Sequence, residues 1–272
     1  MQVSATRKMK LLTEKMIARK EDHVGWMIFN NPARRNALSL EMWTAMGDIM
    51  ADFQADEEIR VAVMAGAGEK AFVSGADISE FEKHRSTADA EEEYNRISSS
   101  AQRILKDFDK PLIAMIQGFC IGGGLAVALT ADIRIASEDS QFARPAARLG
   151  LGYGFDGLKV LSDLVGPSSA KDILFSARRL DATEAIRIGL VNQVVPSESL
   201  EDAVRTYVEK LSANAPLTIR AAKAAVNEGL KDPASRDLEK LESNIRTIFD
   251  SEDYKEGRRA FMEKREPVFR GH

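Results

Sequence analysis

The sequence predicts an α/β body followed by a helical C-terminal portion. Strand-like and helix-like segments alternate over about the first 160 residues, and helical periodicity then runs almost alone to the end. The composition agrees: 44% hydrophobic and 29% charged, with 8 Pro and 18 Gly among 272 residues, is a chain that buries a sizeable core without staples.

Taken in order, residues 1–14 carry Arg7, Lys8 and Lys10 with no apolar stretch of signal-peptide character, and read as a mobile extension ahead of a core over 15–200. Residues 16–30 read as two short strands around a polar turn, ended by Asn31 and Pro32. A helix follows, with Ser39 as N-cap and Met42, Met46, Ile49 and Phe53 at helical spacing. Residues 60–64 form a buried strand that stops at Gly66 and Gly68. After a loop over 74–77, an amphipathic helix over 87–108 presents Tyr94, Ile97, Ala101, Ile104, Leu105 and Phe108 on one face. Pro111 opens a strand over 112–116, a glycine run follows, and a short buried helix over 125–131 precedes a strand over 133–136. Beyond these, 191–195 reads as a strand, and helices are expected over 181–188, 200–211, 216–230, 237–249 and 253–264, most of them in the helical region 201–272.

Charge and cysteine content exclude several functions. With 38 Lys+Arg against 42 Asp+Glu the formal charge is −4, so nothing draws the whole chain to nucleic acid. Cys120 is the single cysteine, which excludes an internal disulfide framework and a multi-cysteine metal site, so no metal is expected. The longest apolar stretch, 112–129, is broken by Gln117 and by Gly118, Gly122, Gly123 and Gly124, and does not read as a membrane span. A soluble protein of a reducing compartment is expected: the cytoplasm, with the mitochondrial matrix as the alternative.

Two segments carry candidate chemistry. Gly122-Gly123-Gly124 stands between a buried strand and a short helix. Backbone N–H groups at a helix N-terminus can meet an anion or a polarised oxygen there, or the glycines mark a crossing too tight for side chains. Residues 71–78, AFVSGADI, are either an ordinary turn with Asp77 as helix cap or the source of a second N–H donor. Two such donors from different segments form an oxyanion hole.

These motifs resemble the crotonase, or enoyl-CoA hydratase/isomerase, superfamily over about residues 15–270. The resemblance is carried by Asn31-Pro32 with Arg35-Asn36-Ala37-Leu38, by Ala71-Phe72 with Ser74-Gly75-Ala76-Asp77-Ile78, and by Gly118 with the glycine run. It continues through 131–136, Gln141-Phe142, Leu149-Gly150, Ala185 with Gly189-Leu190-Val191, and Glu256-Gly257 with Phe261, Lys264, Arg265, Pro267 and Phe269. It implies a spiral of ββα turns with a helical C-terminal trimerisation region, assembled as a homotrimer or homohexamer. It also implies a coenzyme A thioester as substrate, with no permanently bound cofactor. The Ala76 and Gly123 amides would hold the thioester oxygen as it becomes an enolate. Arg35, Ala37, Leu38, Ala71, Asp77, Ile78, Phe261 and Lys264 would contact the CoA, although Arg35 is equally readable as a solvated charge.

The sequence departs from the hydratase pattern at both acid/base positions. Where hydratases carry glutamates, Ala126 and Ala146 stand here, and alanine transfers no proton. Asp156 and Tyr153 are the candidate replacements: Asp156 as an acid or base desolvated in a glycine-rich loop, or as a helix N-cap, and Tyr153 as a proton donor or a pocket wall. Arg144 and Arg148 flank the lost position and suit an anionic acyl group, or a subunit interface or solvated helix. Three functions follow: a hydratase or isomerase with nonstandard proton transfer, a malonyl-type acyl-CoA decarboxylase, and a noncatalytic CoA-binding scaffold.

Overall fold

The repeating unit of the chain is strand, strand, helix; the first turn places both strands in one sheet, and the next three each add one strand to each of two sheets. The computed structural model describes residues 7–77 and 88–272, the side chains of 88–91 excepted. Its first strands are β1 (Arg7–Lys8), β2 (Met16–Glu21) and β3 (Val24–Phe29), followed by helix α1 (Leu40–Ala55). The spiral then runs through β4 (Val61–Gly66), β5 (Ala71–Val73) and α2 (Ala88–Asp107), through β6 (Leu112–Ile116), β7 (Phe119–Ile121) and α3 (Gly123–Ala128), and through β8 (Ile133–Ser137), β9 (Gln141–Ala143) and α4 (Phe155–Ser176). After β10 (Leu180–Asp181), α5 (Ala182–Arg187) and β11 (Gln193–Val195), the chain continues as α6 (Leu200–Ala213), α7 (Pro216–Gly229), α8 (Leu238–Asp250) and α9 (Glu252–Glu263).

The larger sheet has the order β1-β2-β3-β4-β6-β8-β11, and the smaller has the order β10-β9-β7-β5. Pairing between successive turns is parallel in both, β4 to β6 to β8 and β5 to β7 to β9. The larger sheet is covered on both faces. Met27, Phe29, Met64 and Ala114 join the main core with α1, while Trp26, Val61, Val63 and Ile113 form a second cluster with Leu200, Val204 and Val208 of α6. Burial on both faces explains why β4 reads as a continuous apolar run rather than an alternation.

Most long elements agree with the expected ones, including α1 with its buried Met42, Met46, Ile49 and Phe53. Ser39 holds the N-cap position without a side-chain cap bond. Three differences have physical causes. The short helix begins at Gly123, two residues early, because glycines in a helical first turn carry no propensity signal. The α4 stretch is capped by Gly154 and runs to Ser176 as two helices joined at Gly166, whose non-helical backbone (φ 77°) stands ahead of Pro167. Of the 1–14 stretch, expected as a mobile extension, residues 7–14 are described and part of them contacts the body. Arg7 pairs with Lys20 and Lys8 with Arg19, the Met9 N–H donates to the Ala18 carbonyl (3.1 Å), and Met9 and Leu11 pack on the core.

The loop between β3 and α1 is tied down by Asn36, which is buried with a left-handed φ of 56°. Its amide donates to the carbonyls of Ala67 (3.0 Å) and Ala71 (2.7 Å), and its Oδ1 accepts the Asn31 N–H at 2.9 Å. Asn36→Ala is expected to destabilise the protein by about 3 kcal/mol, the scale of several buried polar groups losing their partner. Urea unfolding measures this as a lowered midpoint with an unchanged slope; a change below about 1 kcal/mol would contradict the role assigned to Asn36.

Candidate active site

The loop after β5 meets the loop before α1 through one short parallel bridge between Leu38 and Ala76. The Leu38 N–H donates to the Gly75 carbonyl (2.8 Å), and the Asp77 N–H donates to the Leu38 carbonyl (2.9 Å). In a parallel bridge the residue facing the doubly bonded one directs its own N–H and C=O the other way. The Ala76 N–H accordingly has no backbone acceptor among the described residues. Gly75, with φ of 123°, makes the turn that allows this, since a side chain there would be strained.

The three glycines after β7 have three different reasons. Gly122 precedes α3 with φ of 57° and donates its N–H to the Ala143 carbonyl at 2.8 Å. At Gly124 an added Cβ would lie 2.2 Å from the carbonyl oxygen of Val73, so only glycine lets α3 cross β5. Gly123 is different. An added Cβ there would meet nothing closer than Leu38 Cδ1 at 3.6 Å, and the Ala76 nitrogen is 3.9 Å away. As the first residue of α3 its N–H has no partner within the helix. Two amides without a backbone acceptor among the described residues therefore stand close together, partly exposed, beside a helix N-terminus, where negative charge on an oxygen is favoured.

The remaining expected contacts divide into groups. Ala37 and Leu38 are buried on the bridge, and Asp77 is buried directly after it. Ala71 opens β5 and bridges Gly118. Ile78 lies outside the described residues. Arg35 has a left-handed φ of 52° and accepts the Ser74 N–H on its carbonyl (3.1 Å). Its guanidinium stands 5.0 Å from the Phe119 ring centre, opposite Arg179 at 5.1 Å, and it lines a cavity of about 300 Å³ with Lys70 and Gln141. Phe261 and Lys264 are not brought to this region of the chain. Phe261 is 83% exposed and lines a separate cavity of about 400 Å³ with Tyr254 and Phe269, and Lys264 ends α9 in the left-handed conformation.

Ala126 is one turn into α3, and Ala146 is buried in the single helical turn Pro145–Arg148. Neither has an ionisable group. Asp156 is exposed in the first turn of α4, so the desolvation expected of it is absent, and Gly154 rather than Asp156 caps the helix. Arg148 is exposed. Arg144 is buried, and its guanidinium stacks on the Tyr153 ring at 4.2 Å while its Nη1 donates to the Gly157 carbonyl at 2.8 Å. Burial pushes the Arg144 guanidinium down from its ordinary value, with the neighbouring Tyr153 opposing that shift. Cys120 is fully buried and burial pushes its thiol up, consistent with packing rather than nucleophilic chemistry.

The enoyl-CoA hydratase/isomerase family model matches residues 19–272. The chain belongs to that family. Among its relatives, the short-chain-enoyl-CoA hydratase of Clostridium acetobutylicum is 36% identical over 250 residues, covering 92% of this chain and 95% of that one. The crotonyl-CoA hydratase of Syntrophomonas wolfei is 35% identical over 256 residues, covering 94% and 98%. The crystal structure of an enoyl-CoA hydratase/carnithine racemase from Magnetospirillum magneticum superposes with a TM-score of 0.91 at 33% identity, over 96% of this chain and 97% of that one. Family membership thus covers the whole spiral and the C-terminal helices.

Leu38, Gly75 and Asn36 matter more to this site than their residue types suggested. Their signal in the sequence was the proximity of Arg35-Asn36-Ala37-Leu38 to a turn, but the bridge that gives them their role joins segments nearly forty residues apart. The geometry separates the glycines experimentally. Gly124→Ala is expected to destabilise by about 3 kcal/mol or prevent folding, because backbone must move. Gly123→Ala is expected to stay within about 1 kcal/mol of the parent. Thermal unfolding of both variants checks this, and equal losses would contradict the distinct roles.

Proposed function

We propose that the chain is an acyl-CoA lyase or isomerase that stabilises a thioester enolate between the amides of Ala76 and Gly123. The observation that carries this reading is the 3.9 Å approach of the Ala76 nitrogen to the Gly123 Cβ position, with neither amide engaged elsewhere among the described residues. When a thioester loses a group from its α-carbon, electron density moves onto the carbonyl oxygen. Two fixed N–H donors lower the energy of that anion without reorganising, each by about 2.7 to 4 kcal/mol. Names of relatives, enoyl-CoA and crotonyl-CoA hydratase among them, support an acyl-CoA thioester as the substrate. Arg35 and Lys70 offer donors to the CoA phosphates from a cavity that Glu69 and Asp139 also line. The exposed apolar residues Ile245, Phe249, Phe261 and Met262 of α8 and α9 support assembly of identical chains as a trimer or hexamer.

Ala126 and Ala146 favour a second reading of the reaction itself. Water addition needs a group to take a proton from water and one to protonate the α-carbon, and neither position supplies one. Decarboxylation of a malonyl-type thioester needs less. The bond from the α-carbon to the carboxylate breaks, its electron pair passes into the enolate, carbon dioxide departs, and solvent returns a proton to carbon.

A panel of crotonyl-CoA, methylmalonyl-CoA and malonyl-CoA tests both readings. Turnover of a malonyl-type thioester above that of crotonyl-CoA is expected, with kcat falling about 100- to 1,000-fold in Gly123→Ala as its methyl enters the space for the oxygen. No turnover of any thioester, together with tight CoA binding, would instead make the chain a binding scaffold.

A further inference from the structure

Two arginines are buried among the described residues, and they differ. Arg134 has every nitrogen group engaged: Nε on the Leu190 carbonyl (2.8 Å), Nη1 on the Ala131 carbonyl (2.7 Å) and Nη2 on Asn192 Oδ1 (3.4 Å). Arg144 is 3% exposed, donates Nη1 to the Gly157 carbonyl, and among the described residues its buried Nε has no hydrogen-bond partner. Among the described residues no carboxylate forms an ion pair with it. A buried cation in this condition costs several kcal/mol unless something else completes it. Tyr153 attracts the guanidinium through its ring face and its hydroxyl opposes the effect of burial, but as a neutral phenol it supplies no full counter-charge. The edge of the guanidinium bearing Nε is the part left to a planar acceptor.

Its position in the fold says which acceptor. Arg144 follows Ala143, the residue whose carbonyl holds the Gly122 N–H, so it leaves β9 beside the glycine turn that presents the Gly123 amide. Two residues later stands Ala146, a buried methyl where the hydratase pattern carries an acid. We propose that Arg144, held by Tyr153 and Gly157, is the specificity residue that receives a carboxylate carried on the acyl group of the thioester. A carboxylate meets a guanidinium edge through two parallel hydrogen bonds, which the neutral methyl end of a simple fatty acyl group cannot make. This proposal rests on the acyl-thioester reading and adds the class of acyl group.

Calorimetric titration of the full chain with succinyl-CoA and butyryl-CoA tests it, since the two acyl groups share a four-carbon length and differ by carboxylate against methyl. The parent is expected to bind succinyl-CoA about 10- to 100-fold more tightly than butyryl-CoA. Arg144→Met is expected to cost succinyl-CoA at least about tenfold more affinity than it costs butyryl-CoA, and Arg144→Lys, which keeps the charge without the fork, to retain part of the preference. The parent's own ratio needs no variant to fold. Butyryl-CoA bound as tightly as succinyl-CoA, or the preference surviving in Arg144→Met, would overturn the proposal and leave the acyl-thioester reading standing. Failure of both thioesters to bind the parent would overturn the two together.

Discussion

A bridge of two hydrogen bonds, Leu38 N–H to Gly75 O and Asp77 N–H to Leu38 O, decides which way the Ala76 amide faces. Parallel pairing has a fixed alternation: engaging the residues on either side of Ala76 turns its own N–H away from Leu38 and toward the N-terminus of α3. The surrounding fold serves that orientation. Asn36 locks the loop that delivers Leu38, Gly75 supplies the backbone angle that delivers Ala76, and the close crossing at Gly124 brings the start of α3 to the end of β5. A donor pair built from main chain on crossing elements is stiff, and stiffness is what electrostatic stabilisation of a developing anion requires.

Preorganised amides act on charge and leave proton transfer to other groups. The chain carries alanine where the related hydratase pattern carries acids; Asp156 faces solvent from the first turn of α4, and Asp77 is buried directly after Ala76. What remains near the glycine turn is a buried cation on an aromatic ring. A buried, incompletely paired guanidinium near a helix N-terminus favours a bound group that carries negative charge.

Much of this was legible in the residues. Helical periodicity located α1, α2 and the C-terminal helices because each gathers apolar residues at helical spacing, as α1 does with its buried Met42, Met46, Ile49 and Phe53. The strands of the larger sheet were visible as apolar runs. Strands β7, β9 and β10, of two or three residues each, carry no period at all, and they exist because the neighbouring turn of the spiral offers an edge to pair with. The glycine run and the 71–77 loop marked the site, but the assignment of one glycine to a turn, one to an open space and one to a crossing needed the positions of Val73, Leu38 and Ala76. Asp156 was misjudged for the same reason. Its burial depends on where α4 begins, and a glycine cap does not announce a helix. Arg144 was noted beside Arg148 as a pair, whereas burial and the Tyr153 ring set them apart.

The central claim is that two amides polarise one carbonyl oxygen. Isotope-edited infrared spectroscopy of butyryl-CoA labelled with ¹³C at the thioester carbonyl measures this in the bound state, without turnover. The account predicts a C=O stretch shifted to lower frequency on binding, beyond its position in water, because two fixed donors replace a fluctuating hydration shell. A carbonyl band that stays at its aqueous position in the complex would contradict it.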